Sequence, residues 1–122
     1  MLRLKSATDF ERVRRDGRSY AHPLVVLVAC RGEGPETSPP RLGFTAGRSV
    51  GSAVRRNRAR RLLREAARGL APRIAPGWDL ILIARTPIVG CKMPEVRQAV
   101  AQLLRRARLF APPTSAQTEN DP

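Results

Sequence analysis

The chain has 122 residues, with 23 Lys and Arg against 10 Asp and Glu and a formal net charge of +13. That length fits one domain around one core, and the charge excludes a module built on acidic groups and makes a polyanion the natural partner. No apolar run approaches the ~18 residues of a membrane span, charges break the opening MLRLKS so that no secretory signal is expected, and Cys30, Cys91 and the single His22 lack zinc-ligand spacing.

A reduced, cytoplasmic protein with no membrane partner is expected. The cations are 21 Arg and only two Lys, Lys5 and Lys92. Guanidinium groups are planar, bidentate donors suited to phosphates and base edges.

In chain order, Leu4–Asp9 opens a short helix. Ser6 is placed to cap it with Asp9 in capping-box spacing, Phe10 and Val13 share one face, and Gly17 is the C-terminal stop. Residues between Gly17 and His22 have room for a further short strand. Leu24–Cys30 is a continuous β-branched run of strand length, with Pro23 at its start. Residues 31–40, with three prolines, read as a mobile loop. Arg41–Gly47 alternates, with Leu42, Phe44 and Ala46 on one face and Gly43 and Thr45 on the other, as a half-buried strand does.

From Ala53 to about Ala71, the positions Ala59, Leu62, Leu63, Ala66, Ala67 and Leu70 recur at helical spacing. Trp78–Arg85 is another strand. Pro94 and Glu95 start a last helix, with Val96, Ala99, Val100, Leu103, Leu104 and Ala107 as its stripe. The expected architecture is α+β, a two-layer sandwich of order α-β-β-β-α-β-α with a mixed sheet packed against helices. Residues 1–110 form the single domain, and 111–122 are expected as a disordered tail.

The chemistry concentrates between Arg55 and Arg68, where seven of fourteen residues are Arg and Glu65 is the only acid. On a helical wheel, Asn57, Arg60, Arg61, Arg64 and Arg68 fall opposite the apolar stripe, while Arg55, Arg56 and Arg58 crowd the first turn. A solvated helix face usually interleaves Glu with Arg at i, i+4, whereas here Glu65 alone can offset only a little of the charge. Cations at a helix N-terminus oppose the macrodipole by ~0.3–1 kcal/mol each. A phosphate placed there meets free backbone N–H groups and guanidinium groups together. The pattern therefore favours nucleic acid over an idle charged surface. A strand–Gly–helix setting, rather than a helix-turn-helix or zinc finger, favours RNA over DNA.

The stretch RLGFTAGRSVGSAVRRNRARRLLREAAR, residues 41–68, resembles the signature of the protein subunit of bacterial ribonuclease P. The matching residues are Gly43, Phe44, Arg48, Val50, Gly51, Ala53, Val54, Arg56, Asn57, Arg58, Arg60, Arg61, Leu63, Arg64, Glu65 and Arg68. Element order extends the likeness over residues ~2–108. The resemblance implies helix, three strands, helix, strand, helix, with the left-handed crossover typical of that family. It implies an endonuclease holoenzyme in which the catalytic RNA, with Mg²⁺ bound mainly by that RNA, hydrolytically removes the 5′ leader of precursor tRNA. The polypeptide supplies no catalytic residue and no metal ligand.

The RNA contacts implied are Arg48, Arg55, Arg56, Asn57, Arg58, Arg60, Arg61, Arg64 and Arg68. The leader contacts are Phe10, Arg14 and Tyr20, in a cleft between the first helix and the sheet. Partners would be the catalytic RNA and precursor tRNA, with no DNA and no membrane.

The chain departs from the family pattern at Ser49 and Ser52, where further lysines are usual, and at Arg14, where a second aromatic is common. Phe10 is equally readable as core, and Phe44 and Trp78 read as core. The acids outside loop and tail (Asp9, Glu11, Asp16, Glu65, Asp79 and Glu95) are scattered, unlike the clustered carboxylates of a metal nuclease. The alternative reading is a ribosome-associated or RNA-chaperone protein with no role in hydrolysis.

Overall fold

The computed structural model of the chain describes residues 1–111. Its elements are β1 (Leu2–Arg3), α1 (Ala7–Asp16), β2 (Arg18–Ala21), β3 (Val25–Arg31), β4 (Arg41–Ala46), α2 (Ala53–Leu70), β5 (Trp78–Ala84) and α3 (Met93–Arg106), with short 3-10 turns before α2, after α2 and before α3. The α+β expectation holds, with one strand added at the front. Two residues are too few to show a period, and β1 exists only because it zips in parallel onto β4, Leu2 opposite Arg41 and Arg3 opposite Leu42.

The sheet has five strands in the order β1-β4-β5-β3-β2. β4 and β5 are parallel neighbours, so α2 is the crossover between them. β3 pairs antiparallel with β5 and with β2, which makes the sheet mixed. The main core lies on one face, where Leu27, Leu42, Leu80 and Leu82 meet Leu63, Ala66 and Ala67 of α2 and Val100, Leu103 and Leu104 of α3. Each such fully buried leucine is worth about 1.5–3 kcal/mol over its exposed state. A smaller cluster on the other face joins Leu4 and Val13 to Val28 and Ile81.

Local signals worked where they are short-range. The Ser6 hydroxyl accepts from the Thr8 and Asp9 amides, but the Asp9 carboxylate does not complete a capping box, because Arg12 and Arg41 claim it. Gly17 ends α1 in an extended rather than left-handed conformation, φ −82°. Glu95 accepts from the Lys92 amide at 3.0 Å to start α3. The proline-rich segment 31–40 is clasped at both ends: the Gly32 amide donates to the Gly77 carbonyl and the Gly77 amide to the Ser38 carbonyl. Of the expected tail, only Ala111 lies within the described residues, and it exchanges hydrogen bonds with Arg73.

Candidate nucleic-acid interface

α2 begins at a sharp corner. Gly51 sits at φ +128°, a conformation essentially closed to other residues, and a Cβ there would lie 2.9 Å from Cδ of Arg55. The corner lets the Arg55 stem lie flat on the backbone while the Ser52 hydroxyl accepts from the Arg55 amide at 3.3 Å. Ala59, Leu63, Ala66, Ala67 and Leu70 are then buried as expected, with Leu62 half-buried.

The opposite side of α2 is cationic. Arg55, Arg61 and Arg68 are exposed, and Arg56, Arg60 and Arg64 are half-buried along their stems. Arg60 donates to the Asn57 side-chain carbonyl, which aims its guanidinium. Arg60, Arg61, Arg64 and Asn57 line a groove of about 270 Å³ together with Arg3 of β1 and Phe44 of β4, and the Arg3 guanidinium lies 5.7 Å from the Phe44 ring centre.

Among the described residues every ion pair involves Arg12, Arg15 or Arg41, and none involves α2. Like charges gathered along one helix with a single acid, Glu65, repel, and that repulsion reverses when phosphates arrive. Arg58 is the exception within the predicted set: it donates to the carbonyls of Val89 (3.2 Å) and Cys91 (3.4 Å), tying α2 to the 3-10 turn before α3. Arg48 is exposed on the turn preceding α2.

The second candidate surface lies on the other face of the sheet. Gly43 leaves room for the Phe10 ring; a Cβ on it would come 2.9 Å from Phe10 Cε2. Phe10 is thus half-buried, part core and part surface. Beneath α1, the row Val28–Ile81–Gly43 is buried. The next row, Ala21–Val26–Ile83–Thr45, is left only partly covered or exposed. Arg14 is exposed and lies about 40° around α1 from Phe10 at 100° per residue, so the two share a side of the helix. Tyr20 does not join them. It pairs with Leu27 and packs against the α2/α3 core, so it occupies the opposite sheet face.

The sequence did not announce a third feature. Asp79 is only 2 % exposed, and both Arg12 and Arg41 donate to its carboxylate, with Arg41 also reaching Asp9 at 3.4 Å. Burial alone would raise the Asp79 pKa, but the hydrogen bonds and charges of Arg41 and Arg12 outweigh it and hold the carboxyl below its usual value. In turn, desolvation pulls the Arg12 pKa down but the hydrogen bond and charge of Asp79, with Glu33, together raise it, and the Asp79 hydrogen bond raises that of Arg41 against a smaller desolvation. This cluster locks α1 to β4 and β5, and it withdraws two arginines from the surface charge. A charged residue one place into the apolar run WDLILIA was the available signal; its partners lie too far along the chain to be read locally.

Among the described residues no three His, Cys, Asp or Glu side chains come together as metal ligands, and no helix is long and apolar enough to cross a membrane.

A mixed sheet bearing an uncompensated arginine helix on one face and a partly open apolar strip on the other defines a small α+β RNA-binding protein. The family model for Ribonuclease P matches residues 1–108, and the chain belongs to that protein family.

The chain is 44% identical over 108 residues to the ribonuclease P protein component of Symbiobacterium thermophilum, covering 88% of this chain and 92% of the relative. The component from Herpetosiphon aurantiacus is 41% identical, covering 88% and 85%. The solved Staphylococcus aureus RNase P protein superposes with a TM-score of 0.78 at 29% identity, over 90% of this chain and 98% of that one. The Thermotoga maritima protein gives 0.75 at 27%, over 87% and 97%. The match makes the chain a ribonuclease P subunit acting in tRNA 5′-end processing, and it displaces the ribosome-associated or chaperone alternative.

Proposed function

We propose that this subunit holds RNA on two faces and leaves hydrolysis to its RNA partner. α2 docks on the catalytic RNA, with Arg55, Arg56, Arg60, Arg61, Arg64 and Arg68 replacing condensed counterions at crowded phosphates. Arg48 extends that contact, Asn57 orients Arg60, and Arg58 fixes the angle of the helix against the 3-10 turn. Neutralising those phosphates lowers the cation concentration that the RNA needs to fold.

The other face takes the 5′ leader of precursor tRNA. Val26, Ile83 and Thr45 give a flat strip for single-stranded bases, Phe10 a stacking edge, and Arg14 a phosphate contact or a stacking plane. Binding energy gained there is absent once the leader is gone, so precursor is held more tightly than mature tRNA and product exchanges for substrate.

Mg²⁺ belongs with the RNA. Asp9 and Asp79 do not fit the ion, because Arg12 and Arg41 already engage them, and among the described residues no three His, Cys, Asp or Glu side chains gather to hold one. The complex works in the cytoplasm, with no DNA partner.

The observation that supports this reading best is the set of α2 guanidinium groups with no carboxylate partner among the described residues, set behind a partly open sheet face. Reconstitution tests it. At low Mg²⁺, cleavage of a precursor tRNA should require both this chain and its cognate RNA, and Arg14→Ala should weaken precursor but not mature tRNA binding. No stimulation over RNA alone, or equal loss for both tRNAs, would defeat it.

A further inference from the structure

Tyr20, displaced from the leader face, helps line a different groove. On the α3 side of the sheet, Arg18, Tyr20, Ala29, Arg31 and Trp78 floor a depression of about 460 Å³ walled by Ala107 and Leu109, just past the end of α3. The Arg31 guanidinium stacks over the Trp78 ring at 5.1 Å. Tyr20 and Trp78 are half-buried, whereas Arg18 and Arg31 are exposed and, among the described residues, form no ion pair. The one acid at the rim, Asp16, is hydrogen-bonded to Arg15 at 3.0 Å. Aromatic faces interleaved with guanidinium planes stack bases of any sequence, while the charges take the intervening phosphates.

We propose that this groove is a second contact for single-stranded RNA, receiving the part of the leader that lies beyond the Phe10 face. The inference rests on the leader reading above. Its path is set by charge: Arg14 and Arg15 are exposed in the last turn of α1, Gly17 ends the helix, and Arg18 opens β2, the edge strand. A strand leaving Phe10 and Arg14 passes over the end of α1 and around that single edge strand into the groove. Short leaders end before reaching it.

Trp78 is the only tryptophan of the chain, so its fluorescence reports the groove directly. The holoenzyme, assembled from the full chain and the catalytic RNA, is titrated with three end-labelled RNAs: precursor with a long leader, precursor with a leader truncated to the nucleotides beside the cleavage site, and mature tRNA. Label anisotropy reports binding independently. Quenching of Trp78 is expected with the long leader alone, and the Arg18→Ala/Arg31→Ala double variant, altered only at exposed side chains, should weaken that precursor about tenfold while the truncated one binds as before.

Long-leader binding without quenching, or equal losses for long and truncated leaders, would overturn the inference and leave the leader face standing. Quenching complete on adding the catalytic RNA alone would also overturn it, assigning the groove to that RNA instead. Long, truncated and absent leaders binding alike by anisotropy would defeat the underlying leader reading itself.

Discussion

The double variant Arg60→Ala/Arg64→Ala gives the sharpest test of α2 as a phosphate-binding face. Both side chains line the groove beside Arg3 and Phe44 and have no acidic partner among the described residues. If the six arginines proposed for docking each displace one counterion, the slope of log affinity against log salt is about −4.2 to −5.4, at roughly 0.7–0.9 per phosphate. Raising salt from about 50 to about 200 mM then weakens binding about 300- to 2,000-fold. Losing two contacts should make the slope shallower by about 1.4–1.8, so the same salt step weakens the variant about tenfold less.

The assay is anisotropy of end-labelled catalytic RNA titrated with full-length chain across a salt series. Thermal melting of the free variant runs alongside, and its midpoint should not fall, because removing two like charges relieves repulsion. A wild-type slope shallower than about −1, or an unchanged slope in the variant, would refute the argument.

Arg58→Ala should behave differently from its neighbours, lowering free-protein stability by about 1–2 kcal/mol because the Val89 and Cys91 carbonyls lose their charged donor; calorimetry with and without the substitution separates tether from docking contact. Gly43→Val places a side chain against the Phe10 ring, so about 1–3 kcal/mol of stability and the preference for precursor over mature tRNA should fall together, with the α2 salt slope intact. Asp79→Asn leaves two arginines facing a neutral amide and should lose about 3 kcal/mol at neutral pH, read by denaturant unfolding. Because the Asp79 carboxyl is held below its usual value, its stabilisation is full above the unfolded carboxylate range near pH ~3.9 and drains away as pH falls through the lower folded-state value. The Asn variant should lack that acid-side decline.

Much of the scaffold was readable because its signals are local. The period of Ala59, Leu63, Ala66 and Leu70 marks α2, and the run from Trp78 to Ala84 marks β5 without knowledge of what either touches. The scarcity of acids between Arg55 and Arg68, where Glu65 stands alone, likewise carried into three dimensions: none of those arginines has an ion-pair partner among the described residues. Pairings between distant residues were closed to inspection. Alternation tells that Ser19 and Tyr20 point to opposite faces, but which face α1 covers is decided by Val13 and Phe10 settling on Val28 and Gly43. The same holds for Arg12 and Arg41, which look like two more surface cations until Asp79 is brought between them. Arg58 belongs to the arginine signature by position and to the core scaffold by its hydrogen bonds.

The two-residue strand at the front of the chain has a practical consequence. Because Leu2 and Arg3 are zipped to β4 and Arg3 helps wall the α2 groove, whatever is fused ahead of Met1 emerges beside the guanidinium row. Met1 itself lines a depression with Arg68, so an acidic purification handle or cleavage scar there would compete with RNA for Arg68 and mimic a weakened mutant.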